Sequence, residues 1–212
     1  MNVVISMRKV VPALFLALAC ACGRDDGRAH AAGPGQAPAG AAPVPGTYVD
    51  SILPPEEEQR RFREGLAEPG RLEGGASSRQ ALVRSFVRAV ERADTAAVRG
   101  MILSRAEFAY LYYPSTAFTR PPKRMSPALL WFLSTQESEK GIGRLLARRG
   151  GEPLGYVSHR CAPEPRVEGR NRLWDHCSVT LRGEGGTKAE RLFGTIIERD
   201  GHFKFVSYQN EY

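Results

Sequence analysis

Residues 190–210, ERLFGTIIERDGHFKFVSYQN, decide how this chain is read. Two runs rich in β-branched and aromatic residues, ERLFGTIIER (190–199) and HFKFVSYQN (202–210), flank Asp200-Gly201, the dipeptide that favours a two-residue hairpin turn. The pattern predicts two antiparallel strands. Upstream, LGYVSHRC (154–161) and DHCSVTLR (175–182) have the same composition, and GEGG at 183–186 supplies a further turn. Four strands joined mostly by short loops predict an antiparallel meander.

Before residue 150 the period changes from two to about 3.6. Leu82, Val83, Phe86, Val87 and Val90 form a single apolar stripe on a helix predicted over Ser78–Ala93, with Arg84, Arg88 and Arg92 on the opposite, solvated face. Asp94 is placed to cap a short turn reaching Met101, and Ser104 with Glu107 makes a capping box for RAEFAYLYY, which ends at Pro114. Ser126-Pro127 opens a long helix toward Arg149, with Gly150 and Gly151 as its stop and a bend or break expected near Gly141 and Gly143. PPEEEQRRFREGLA (54–67) reads as a peripheral helix with proline at its start, acids in its first turn and arginines later. Helices first and strands last predict an α+β domain over 78–212, its N-terminal helices packed on one face of a curved four-stranded antiparallel sheet. Residues 46–77 are a peripheral helical segment.

The N-terminus carries an address. Arg8 and Lys9 precede an apolar run, Val10–Ala21, which is too short to span a bilayer and has the layout of a secretory signal. Its ending, ALACACG, resembles the lipobox of bacterial lipoproteins. That resemblance implies a signal peptide over 1–21, cleavage before a cysteine and its diacylglyceryl modification. Cys22 is the preferred lipidation site, because cleavage there leaves one lipidated cysteine and one remaining pair; Cys20 is the alternative. The segment that follows, 22–45, is dense in Ala, Gly and Pro and reads as a flexible tether. The expected location is therefore extracytoplasmic, in the cell envelope, on the periplasmic side or the cell surface, with membrane lipid as a partner through the acylated cysteine.

An exported setting makes Cys161 and Cys177 a disulfide pair, since one ends a predicted strand and the other begins the next. The intervening APEPRVEGRNRLWDH (162–176) would be a loop pinned at its base. A zinc site from His159, Cys161, His176 and Cys177 has suitable ligand types, but His176 and Cys177 point to opposite faces of a strand, so no metal ligand is assigned.

ALVRSFVRAVERAD (81–94), the short helices around EFAYLYYP and the terminal sheet together resemble the cone-shaped fold of nuclear transport factor, ketosteroid isomerases and SnoaL-like cyclases. For an enzyme of that kind, the resemblance implies an acid/base residue inside a pocket with an oxyanion-stabilising partner. Tyr110, Tyr112, Tyr113, Asp175, His159, His176 and His202 are candidates by type, but no pattern links them and no catalytic residue is assigned. A pocket between helices and sheet would draw on Tyr110, Tyr113, Trp131 and His159.

GIGRLLARRGG (141–151) does not follow a strand and lacks the nucleotide-binding glycine spacing, so no cofactor is expected. The chain has 30 Lys and Arg against 23 Asp and Glu, a net +7, yet export argues against nucleic acid and for weak attraction to anionic surfaces. The expected function is binding or assembly, with a small molecule or an envelope protein as partner; the alternative is a cone-fold isomerase or cyclase acting on a small hydrophobic substrate. A subunit of an envelope complex would instead expose an apolar patch around LLWFL (129–133).

Overall fold

A computed structural model describes residues 53–212. The proposed signal peptide, the tether and both lipidation candidates, Cys20 and Cys22, lie outside the described residues. Pro55–Arg63 (α1) opens with proline at its start, Glu56, Glu57 and Glu58 in its first turn and arginines in its last. Arg79–Glu91 (α2) begins where the Ser78 hydroxyl accepts the Ala81 N–H, and it buries Leu82, Val83, Phe86, Val87 and Val90. Thr95–Gly100 (α3) is capped by Asp94, and Arg105–Glu107 (α4) by the reciprocal box of Ser104 and Glu107. Each cap satisfies backbone donors that a helix start otherwise leaves unpaired.

Two elements depart from the expected helices. After α4 the chain makes one π-helical turn over Phe108–Tyr112 and a tight turn over Tyr113–Ser115. A regular helix would bury one stripe, whereas this irregular path buries Phe108, Ala109, Leu111, Tyr112 and Tyr113 together. Pro127–Arg149 (α5) runs through Gly141 and Gly143 without a break. Gly141 has another purpose: a Cβ there would lie 2.0 Å from the Tyr208 carbonyl oxygen, so the glycine admits the C-terminal segment against the helix.

The strands are Tyr156–Arg160 (β1), Arg166–Glu168 (β2), Asn171–Trp174 (β3), Ser178–Gly183 (β4), Gly186–Glu190 (β5), Ile196–Arg199 (β6) and His202–Phe205 (β7). They form two antiparallel sheets, β1-β4-β5 and β2-β3-β6-β7, on an α+β plan. The four expected strand segments overlap β1, β4, β6 and β7, with β5 falling almost wholly between them, but they do not form one meander. Residues 162–176, expected as a loop, contain the β2–β3 hairpin, and β3 rather than β4 pairs with β6.

The register explains the division. Trp174 faces Ile196 and Val179 faces Glu190, so the arms β3–β4 and β5–β6 make one long hairpin interrupted at 175–177 and 191–195. His176 takes a left-handed conformation (φ 52°) at the interruption. The β6–β7 turn is the expected one, with positive φ at both Asp200 (51°) and Gly201 (78°).

The four-stranded sheet has apolar groups on both faces. Ile196 and Phe205 join α2 in one core, where Phe86 packs 5.5 Å from Phe193, 5.2 Å from Phe205 and 5.3 Å from Tyr208 between ring centroids. Leu173 and Ile197, on the other face, pack with Phe62, Phe108 and Leu130. On this second face lies a buried ion pair: Lys204 Nζ donates to Glu107 Oε2 at 2.8 Å, with both side chains at most 4% exposed. The same carboxylate accepts the Ser104 N–H and the Glu73 N–H, each at 2.7 Å.

Candidate functional site

Asp94 starts α3 and Ser126 starts α5; between these helices and the segment 102–105 lies a cleft of about 560 Å³. Its walls are largely apolar, from Val98, Ile102, Leu103, Trp131, Ile142 and Leu146. Ser104, Ser134 and Thr135 also line it, and Arg99, Arg105 and Glu139 bring charge. Val206 and Tyr208, just past β7, also line the cleft.

Tyr208 fixes the spacing of the walls. Its hydroxyl donates to the Val98 carbonyl at 2.6 Å on α3, and its backbone N–H donates to Ser138 Oγ at 3.1 Å on α5. Burial pushes the phenol well above its ordinary titration range, so it stays protonated and keeps donating. Asn210 strengthens the seam by donating to the Gly141 carbonyl at 2.9 Å. The cleft is thus pre-formed, a property expected of small-molecule sites, whose volumes run from about 300 to 1,000 Å³.

Chemically, the cleft can bury an apolar body and hydrogen-bond a polar end. Neither arginine has an ion-pair partner among the described residues; Arg105 lies 4.7 Å from the centroid of the Phe62 ring. Glu139, the lining carboxylate, is exposed, and Tyr208 is committed to Val98.

Of the four pocket candidates read from sequence, Trp131 lines this cleft. Tyr113 donates to the Met125 carbonyl at 2.8 Å, and Tyr110 to the Leu66 carbonyl at 3.3 Å, each outside it. His159 sits on β1, its Nδ1 3.1 Å from the Tyr156 hydroxyl, also outside the cleft. The sequence reading missed the polar row Ser134, Thr135 and Ser138, although its spacing beside Trp131 and Ile142 was a usable signal for one helix face. The row Arg84, Arg88 and Arg92 is exposed as expected, and Arg88 and Arg92 border a more open hollow of about 640 Å³ beside Gly74 and Gly75.

Cys161 and Cys177 are joined in a disulfide. The β1–β4 register, Arg160 opposite Ser178, brings the two cysteines to the next facing position, so the pair needs no special loop. The bond takes both thiols out of any metal set.

His159 carries a pH dependence. Burial first, and the nearby Arg79 guanidinium second, hold its imidazolium below the ordinary histidine range. The unfolded chain then binds this proton more readily than the folded one, so stability falls as pH drops through about 6.5. The urea midpoint should be lower at about pH 5.5 than at about 7.5, and His159→Gln should reduce that difference; an unchanged difference would show that His159 does not carry it.

Comparison with known protein families, curated proteins and solved structures finds no match to this chain.

Proposed function

We propose that this protein is a lipid-anchored, extracytoplasmic binding module whose cleft between α3 and α5 takes a small molecule with an apolar body and a polar or anionic end. The observation that carries the reading is the cleft itself, about 560 Å³ of mostly apolar wall bordered by hydroxyls and two arginines. The lipobox resemblance supports the anchor and the location, and the disulfide fits an oxidising compartment. We read the domain as a cone-like scaffold related to the nuclear transport factor and SnoaL-like group. Helices preceding strands and a long hairpin that passes from one sheet into the other support this reading.

The isomerase or cyclase alternative asks for a buried carboxylate within reach of a tyrosine in the pocket. The buried carboxylate Glu107 is instead held by Lys204 and two backbone donors, and Tyr212 meets Glu190 away from the cleft. These commitments support binding over catalysis.

An anionic naphthalene dye such as 1-anilinonaphthalene-8-sulfonate has the required shape and charge. It should bind at one site, and Ile142→Trp, which fills the cleft, should weaken it at least tenfold while leaving the melting temperature within a few degrees. Arg105→Gln should weaken it by a smaller factor. Unaltered dye binding by a folded Ile142→Trp protein would remove the cleft from consideration.

A further inference from the structure

Three exposed apolar side chains occupy one stripe at the start of α5: Leu129, Phe132 and Leu133 are 48%, 57% and 42% exposed. Their i, i+3, i+4 spacing puts them on one helix face, while Trp131 turns toward the cleft and Leu130 is buried in the core. A contiguous stripe of this kind marks a surface meant to be covered.

Two neighbouring features identify the cover. The loop entering α5 carries exposed Arg120 and Lys123, neither with an ion-pair partner among the described residues. Arg124, in the same loop, pairs with Glu58 at 3.0 Å and donates to the Leu53 carbonyl at 3.5 Å. Leu53 is the first described residue, so the 1–52 segment joins the domain beside this basic loop, two residues before the Ser126 cap of α5. Apolar stripe, unpaired cations and chain entry therefore share one end of the domain. Of the acids at this end, Glu57 is paired with Arg60 and Arg61 and Glu58 with Arg124, while Glu56 is exposed; Glu137 and Glu139 lie on α5 beyond the stripe, and Lys140 follows them.

We infer that this end of the domain rests on an anionic lipid surface, with Leu129, Phe132 and Leu133 inserted at the headgroup boundary and Arg120 and Lys123 against lipid phosphates. The inference deepens the lipid-anchored reading and rests on it, because an anchor upstream of Leu53 would keep the domain within reach of the bilayer. Apolar insertion and electrostatic attraction act together at such interfaces, and basic side chains near anionic headgroups add roughly 1 kcal/mol each.

The test places a photo-crosslinking benzoylphenylalanine at Phe132, with a control at Ala147 near the far end of α5, in the full chain reconstituted into vesicles. One vesicle set is phosphatidylcholine with about a third phosphatidylglycerol; the other is phosphatidylcholine alone. Position 132 should give phospholipid adducts, at least threefold more in the anionic vesicles and at least threefold more than position 147. Arg120→Glu with Lys123→Glu should remove most of the anionic preference.

Adducts at 132 to a second copy of the chain, adducts to another protein, or yields no higher than at 147 would each overturn the inference. The intact mass of the same membrane-extracted protein reports the anchor separately. Acyl mass with no lipid adduct at 132 defeats the docking surface alone; lipid adducts on a chain without acyl mass defeat the anchor and leave the docking surface standing.

Discussion

Glu107→Ala is expected to destabilise the fold by about 3–5 kcal/mol, the range for removing one partner of a buried ion pair. The substitution would strand the Lys204 ammonium, 4% exposed, and would leave the Ser104 and Glu73 N–H groups without the carboxylate that accepts them. Lys204→Met should be somewhat less damaging, since the carboxylate retains both backbone donors. The double variant Glu107→Ala/Lys204→Met should lose less than the two single changes added together, because it buries no unpaired charge. Urea unfolding of the four proteins measures all three differences. Single variants within about 1 kcal/mol of the parent would mean that the pair contributes little to the fold.

Opening the Cys161–Cys177 bond should cost about 3 kcal/mol, the loop-entropy expectation for a closure of roughly 15 residues. The sequence separation here is 16, and both half-cystines sit in the core that contains Val179 and Leu181. Cys161→Ala/Cys177→Ala and reduction of the parent should lower the urea midpoint by similar amounts, since each releases the same loop in the unfolded chain. A midpoint unchanged by either treatment would show that the β2–β3 hairpin needs no closure at its base.

Much of the architecture was legible because local chemistry is short-ranged. Ser78, Asp94, Ser104 with Glu107, and Ser126-Pro127 mark helix starts through side-chain oxygens or a fixed backbone angle, and each cap lies where its residues predict. Asp200-Gly201 likewise makes its turn from its own backbone preferences. The exposed stripe within LLWFL was legible too, as the patch expected of a subunit of an envelope complex.

What the sequence concealed depends on partners distant along the chain. Lys204 lies between Phe203 and Phe205 and, by alternation, reads as the solvent face of a strand. It is buried because the segment around Phe108 covers the second face of that sheet. The β2–β3 hairpin was hidden for a similar reason: polar residues dominate its strands, and Leu173 finds its place only by pairing with β6 and packing beneath Leu130 and Phe108. The cleft needs α3, α5 and the segment after β7 at once, with Tyr208 reaching Val98 across 110 residues. By itself the sequence determined the helix starts, the turn, the α+β class and the cysteine pair. Only the tertiary structure decided which sheet face is covered, which charge is buried and where a ligand has room, because burial is a property of the assembled surfaces and not of any residue's neighbours in sequence.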